Sequence, residues 1–241
     1  MTNSYLEPTN PEELIIAGSH FGHKSYRLNP RFRKYVYKIE KGIAIIDSIK
    51  TAEELDRARE CVFNLGKEKK QLLVVATKKQ VKSLLLDLLK ERNVFFLTNK
   101  WIGGFLTNFE EISKNIRYLK KLKKERDEGG WTQFVKHERT KLEKKLRAMK
   151  RIYEGVEEMI SLPDALFIID SKHEGVAVAE AIRMHIKTVA LIDTNGNPDI
   201  IDCPIPANDD AVASVQYIVT QIITAYDRGR KSKTEEINIK H

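Results

Sequence analysis

From residue 72 onward, short solid apolar runs alternate with amphipathic stretches. Residues 72–76 (Leu-Leu-Val-Val-Ala), 94–97, 165–169 and 188–192 are continuous apolar runs bounded by polar residues. That pattern marks strands buried on both faces. Helical spacing falls between or after them, over residues 79–92, 174–185 and 209–226. Strand and helix in alternation predict an α/β protein: a three-layer sandwich around a mostly parallel central sheet of about five strands. Ile200-Ile201 predicts a short edge strand completing that sheet.

The first third is less regular. Asn10-Pro11-Glu12-Glu13 is a helix start, with a cap, a proline in the first turn and acids favoured by the dipole. Gly18 ends that helix. Residues 36–47 predict a short hairpin about Gly42. Residues 51–65 predict a helix with Leu55, Ala58, Val62 and Leu65 on one face, closed by Gly66.

The alternation is interrupted from 107 to 160. Leu142, Leu146, Met149, Tyr153, Val156 and Ile160 recur at helical spacing, and Ile152 and Met159 as alternates narrow the stripe toward a heptad seam. Phe109, Ile112, Ile116, Leu119 and Leu122 supply a matching first half, with Gly129-Gly130 between. The pattern predicts a protruding antiparallel coiled-coil hairpin, inserted at 107–160 into a sandwich made of 1–106 and 161–228. Residues 229–241 read as a basic, flexible tail. The hinge is Asn99-Lys100-Trp101-Ile102-Gly103-Gly104-Phe105-Leu106-Thr107-Asn108-Phe109. Its glycine pair lets the chain leave the sheet, and Asn108 is placed to cap the hairpin helix. Trp101 is expected either to stack on a base or to pack beneath the hairpin.

Composition sharpens the picture. The 241 residues are 41% hydrophobic and 32% charged, with a net charge of +8. The excess is local. Residues 20–41 hold seven Lys/Arg against one Glu, and residues 107–154 hold fifteen against eight acids. Phe21, Tyr26, Phe32, Tyr35 and Tyr37 are interleaved with the first group. Cations for phosphates and rings for bases suit RNA; the plainer alternative is a solvated basic loop whose aromatics fill the core. The expected RNA contacts are Lys24, Arg27, Arg31, Arg33 and Lys34, with Tyr26 and Phe32 stacking or bracing the loop. Lys100 and Trp101 join them at the hinge, and Lys120, Lys121, Lys123 and Lys124 along the hairpin.

Other chemistry is thin. Cys61 and Cys203 have neither metal spacing nor a disulfide framework, and both read as structural thiols of a reducing compartment. No run approaches membrane-spanning length, and the polar start lacks a secretion pattern. Asp170, Asp193, Asp209 and Asp210 fall near strand ends, where an α/β enzyme would place its ligand. No glycine-rich phosphate loop or nucleophile elbow accompanies them, so an enzyme is the rival reading rather than the first. His20 and His23 could bind metal with one of these aspartates; RNA contact or core hydrogen bonding is the stronger expectation, and neither metal nor cofactor is expected.

Several blocks, in order, resemble one family. They are Ala17-Gly18-Ser19-His20-Phe21-Gly22-His23 with Asn29-Pro30; Gly42-Ile43-Ala44-Ile45-Ile46-Asp47 with Lys50-Thr51; Thr77-Lys78-Lys79-Gln80; and Trp101 to Phe109. Leu162-Pro163-Asp164 with Asp170 follows, then Asp193-Thr194-Asn195, Pro198-Asp199, Pro204-Ile205-Pro206 and Asn208-Asp209-Asp210-Ala211. The chain is similar, over about residues 14 to 228, to the bacterial-type small-subunit ribosomal protein S-two family, bacterial or organellar. The resemblance implies a noncatalytic constituent of the small subunit that binds its ribosomal RNA and neighbouring proteins. It further implies help in recruiting the large OB-repeat protein that captures messenger RNA. The implied location is ribosomes of the cytoplasm, or of an organelle that encodes the chain. Ser171-Lys172-His173 and Asn195-Gly196-Asn197 depart from the family's usual residues.

Overall fold

The solid apolar runs form one sheet. In this computed structural model, which describes residues 6–238, β4 (Leu72–Val75), β5 (Phe95–Leu97), β6 (Ala165–Ile169), β7 (Lys187–Ile192) and β8 (Cys203–Pro206) lie in the order β5-β4-β6-β7-β8. All four pairings are parallel. Alternate residues of each strand enter different cores. Leu72, Val74, Phe167, Ile169, Val189 and Leu191 face one; Leu73, Val75, Leu166, Ile168, Ala190 and Ile192 face the other. This period of two is the geometric signature of a sheet covered on both faces.

The first core is roofed by α1 (Pro11–Ile16), α2 (Ser48–Lys67), α3 (Lys79–Glu91) and α7 (Val212–Asn238). The second is roofed by α6 (Gly175–Arg183) and the 101–106 connection, and continues between the apolar faces of α4 (Phe109–Asp127) and α5 (Lys136–Tyr153), which pack on each other. Ile112, Ile116, Leu119 and Leu122 of α4 are buried with Leu146 and Tyr153 of α5. Asn115 lies close enough to Tyr153 to influence its ionisation, while Tyr118 accepts from Lys145 at 3.0 Å, so the two helices run in opposite senses. Ahead of α2 a small antiparallel sheet, β1 (Phe21–Lys24), β3 (Ile43–Ile46) and β2 (Val36–Glu40), is ordered β1-β3-β2.

Four expectations need correction. Ile200 ends a 3-10 turn, and the edge strand is β8, despite Pro204 and Pro206. Ala207 donates to Ile192 at 3.0 Å, so the odd positions of β8 turn their N–H groups inward and both prolines sit where none is needed. Gly66 does not close α2 but lies inside it. A Cβ there would stand 2.3 Å from the Tyr226 carbonyl, and one at Gly229 would stand 2.1 Å from that of Phe63. The two glycines let α2 and α7 touch backbone to backbone. Helix α7 runs past Tyr226 to Asn238, because buried Asp227 receives Arg230 and Lys231 one turn on, together with Arg92. Residues 239–241 of the expected tail lie outside the described residues. Asn108 precedes α4 without a side-chain cap bond; the acids Glu110 and Glu111 occupy the first turn instead.

Candidate nucleic-acid interface

The basic stretch is held against the sheet's carboxyl edge by Thr194, the second residue after β7. Its Oγ1 accepts the His23 N–H at 2.9 Å, and its carbonyl accepts that of Asn29 at 2.8 Å. Only glycine fits at position 22, where a Cβ would stand 2.4 Å from the Thr194 methyl and 2.9 Å from the Ala44 carbonyl. Asn29 caps the 3-10 turn Pro30–Tyr35 by accepting from the Arg31 N–H. From that turn Arg31 and Lys34 reach Asp199 at 3.2 and 2.8 Å. These two cations hold the Asp199 carboxyl below its usual range. Phe32 is fully buried, edge-on to Tyr35 with ring centres 5.5 Å apart.

The strand-end aspartates belong to an internal ion network. Lys78 places its ammonium 2.7 Å from Asp170, 2.6 Å from Asp209 and 2.8 Å from Asp210. Burial works to lower the Lys78 pKa, but the three carboxylates outweigh it and hold it above its ordinary value. Burial, with Asp170 and Asp193 nearby, pushes Asp209 up to about 7 against the pull of Lys78. Asp170 has a positive φ of 67° and accepts from the N–H groups of Lys172 and His173. Nδ1 of His23 lies 3.0 Å from Asp193, which, against burial, keeps the imidazole's pKa raised.

His20 and His23 do not act as a pair. His20 rests on Phe21, ring centres 4.0 Å apart, and burial lowers its pKa. Of the two, only His23 converges with carboxylates: ligand atoms of His23, Asp193 and Asp210 lie within 4.8 Å of one another, and these three could hold a divalent cation.

A buried carboxylate that the sequence pattern does not single out organises the hinge. Glu180 of α6 accepts from the Trp101 indole at 3.0 Å, from Gly104 N at 2.8 Å, Leu106 N at 2.9 Å and Thr107 N at 3.2 Å. Burial opposes its charge, but these donors win and its pKa stays below the usual value. Trp101 is buried against Phe105 and is thereby removed from the expected RNA contacts, as is Phe32. In both cases the ring fills the core beneath the sheet.

The other expected contacts divide into two groups. Lys24, Tyr26, Arg27, Arg33 and Lys100 are exposed, and among the described residues none of these four cations makes an ion pair; Arg27 lies over the Tyr26 ring at 5.7 Å. The hairpin lysines are neutralised: Lys120 by Glu158 at 2.8 Å, Lys121 by Glu125 and Lys124 by Glu128 at 3.7 Å, and Lys123 by Glu157. On α5, by contrast, Lys136, Arg139, Lys144 and Arg147 have no acid partner among the described residues and line one groove with Trp131. The i,i+4 spacing of Lys121–Glu125 and Lys124–Glu128 was the available sign that those charges are spent locally.

Comparison with known proteins agrees with this architecture. A family model described as ribosomal protein S2 matches residues 14–229. A relative from Dehalococcoides mccartyi, small ribosomal subunit protein uS2, is 40% identical over 217 residues, covering 90% of this chain and 89% of its own. A protein of the same name from Petrotoga mobilis is 38% identical over 226 residues, covering 94% of this chain and 78% of its own.

Proposed function

The chain belongs to the ribosomal protein S2 family, and from that premise we propose how it meets its RNA. It is a structural constituent of the small ribosomal subunit and not an enzyme. In our reading it binds small-subunit ribosomal RNA through Lys24, Arg27, Arg33 and Lys100, with Tyr26 as a stacking face. Arg31 and Lys34 serve partly as staples to Asp199. The arm of residues 107–160 extends from the sandwich of 1–106 and 161–228 as a coiled-coil hairpin. It contributes Lys136, Arg139, Lys144 and Arg147, with the paired Lys120, Lys121, Lys123 and Lys124 in support. The 229–241 segment adds basic charge at the end of the chain. The observation that carries the reading is the Thr194 staple, which fixes the backbone of a basic segment while leaving Lys24, Arg27 and Arg33 exposed and, among the described residues, without an ion pair.

Neighbouring small-subunit proteins complete the surroundings, including the large OB-repeat protein that holds messenger RNA. Exposed Ile16, which shares a shallow groove with Ala17, Ala213 and Tyr217, offers an apolar surface for such a partner. The place of work is the ribosome, in the cytoplasm; among the described residues no helix is long and apolar enough to cross a membrane.

The test is binding to small-subunit ribosomal RNA as salt is raised. Each lost phosphate contact reduces the slope of log affinity against log salt by about 0.7 to 0.9. Arg27→Ala with Arg33→Ala should therefore flatten the slope by about 1.4 to 1.8. An unchanged slope would remove the segment from the interface.

A further inference from the structure

Cys61 of α2 and Cys203 of β8 are far apart in sequence, yet the packing of α2 on β8 sets both against the same core as neighbours that perturb each other's ionisation. Both are free and partly exposed. Lys187, at the start of the adjacent strand β7 and two residues before the Val189 that pairs with Cys203, completes the group with its positive charge. The three residues come from three elements, and their environments are unequal. The adjacent Cys203 thiol and, with burial opposing, the charge of the Lys187 ammonium draw the Cys61 thiol below its ordinary range. Cys203, beside that sulfur and half-buried, is pushed up. One sulfur is thus favoured as thiolate while its neighbour keeps its proton, the division of labour that thiol oxidation chemistry requires.

We propose that Cys61 is a peroxide-reactive thiolate and Cys203 its resolving partner, so that oxidation by a hydroperoxide closes a disulfide between α2 and β8. In the first step the Cys61 thiolate attacks one peroxide oxygen. The O–O bond breaks, sulfur is oxidised by two electrons to a sulfenic acid, and the departing hydroxide is protonated to water. In the second step Cys203 gives up its proton and attacks the Cys61 sulfur. The S–O bond breaks, and the hydroxide leaves with that proton as a second water. Two thiols and one hydrogen peroxide become one disulfide and two waters. Lys187 holds the first thiolate and shields the second as it forms. The reaction is independent of the RNA-facing segment, since none of these residues belongs to it.

The experiment uses the purified full chain and hydrogen peroxide in slight excess, followed by free-thiol titration and intact mass. Both thiols should disappear together, with loss of two hydrogen atoms and recovery by a dithiol reductant. Cys203→Ser should stop at the sulfenic acid, trapped on Cys61 by dimedone. Cys61→Ser should consume peroxide at least about tenfold more slowly than Cys203→Ser, because the remaining thiol is mostly protonated. Lys187→Met should move the pH midpoint of the reaction upward. Mass gains of whole oxygens without disulfide, equal rates for the two serine variants, or disulfide only between separate chains would each overturn the assignment.

Discussion

Glu180 accepts the indole N–H of Trp101 at 3.0 Å across 79 positions of sequence. The same carboxylate gathers three backbone donors from the turn that launches α4. One buried anion thus fixes the hinge from which the hairpin departs. Its backbone donors are the orphan N–H groups that a connection of this kind would otherwise leave unsatisfied.

Glu180→Gln keeps the shape but replaces one accepting oxygen with a donating amide. The variant should lose about 1.5 to 3 kcal/mol in urea unfolding, the range for hydrogen bonds to a charged group. Trp101 fluorescence should shift to the red at lower urea than in the parent. The pH dependence follows from the lowered pKa of Glu180. A carboxylate held below its unfolded value stabilises above that value and loses the contribution as pH falls through the folded one. The gap between parent and variant should therefore narrow in acid; a gap that widens there would be inconsistent with a charged Glu180.

Gly22→Ala places a Cβ 2.4 Å from the Thr194 methyl. The basic segment must lift from the sheet edge, at a cost of about 1 to 3 kcal/mol for overpacking. Limited trypsin digestion should then cut at Arg27, Arg31 or Arg33 before the rest of the chain. Protection equal to that of the parent would show that the Thr194 staple is dispensable.

Gly229→Ala tests the backbone contact of α2 with α7, since its Cβ would stand 2.1 Å from the Phe63 carbonyl. Alanine raises helix propensity by about 1 kcal/mol over glycine, so an isolated α7 would gain. In the folded chain the clash should win and the melting temperature should fall. A rise would mean the helices can separate at little cost.

Asp227 lies below its ordinary 3.8, at about 2; burial opposes the shift, and Lys231, Arg230 and Arg92 produce it. Its contribution is complete above the unfolded value and is lost as pH falls from about 4 toward 2. Asp227→Asn should be less stable than the parent at pH 6, and the two unfolding curves should converge across that acid window. A constant difference would place the effect in packing rather than charge.

The strands at 72–75, 95–97, 165–169 and 187–192 were readable because burial on both faces writes a solid apolar run into the local sequence. The edge strand was misplaced by a few residues. Ile200-Ile201 carries the stronger apolar signal, while β8 carries prolines that only an edge permits. Candidate contacts divided along the same line. Exposed Lys24, Tyr26, Arg27 and Arg33 are legible as charge beside aromatics, but an interleaved ring does not announce which way it points. Phe32 and Tyr26 look alike in sequence, and one is buried while the other is exposed.

What the sequence determined by itself was periodic or compositional: the alternating strands and helices, the apolar stripes of α4 and α5, and the two basic stretches. These depend on neighbours within a few residues, so a linear chain displays them. The tertiary structure alone decided the pairings between distant residues. Glu180 with Trp101, Lys78 with Asp170 and Asp209, Thr194 with the basic segment, and Cys61 with Cys203 all join different elements. Such contacts turn on which side chains meet when the sheet edge and its helices close, and no local spacing encodes that meeting.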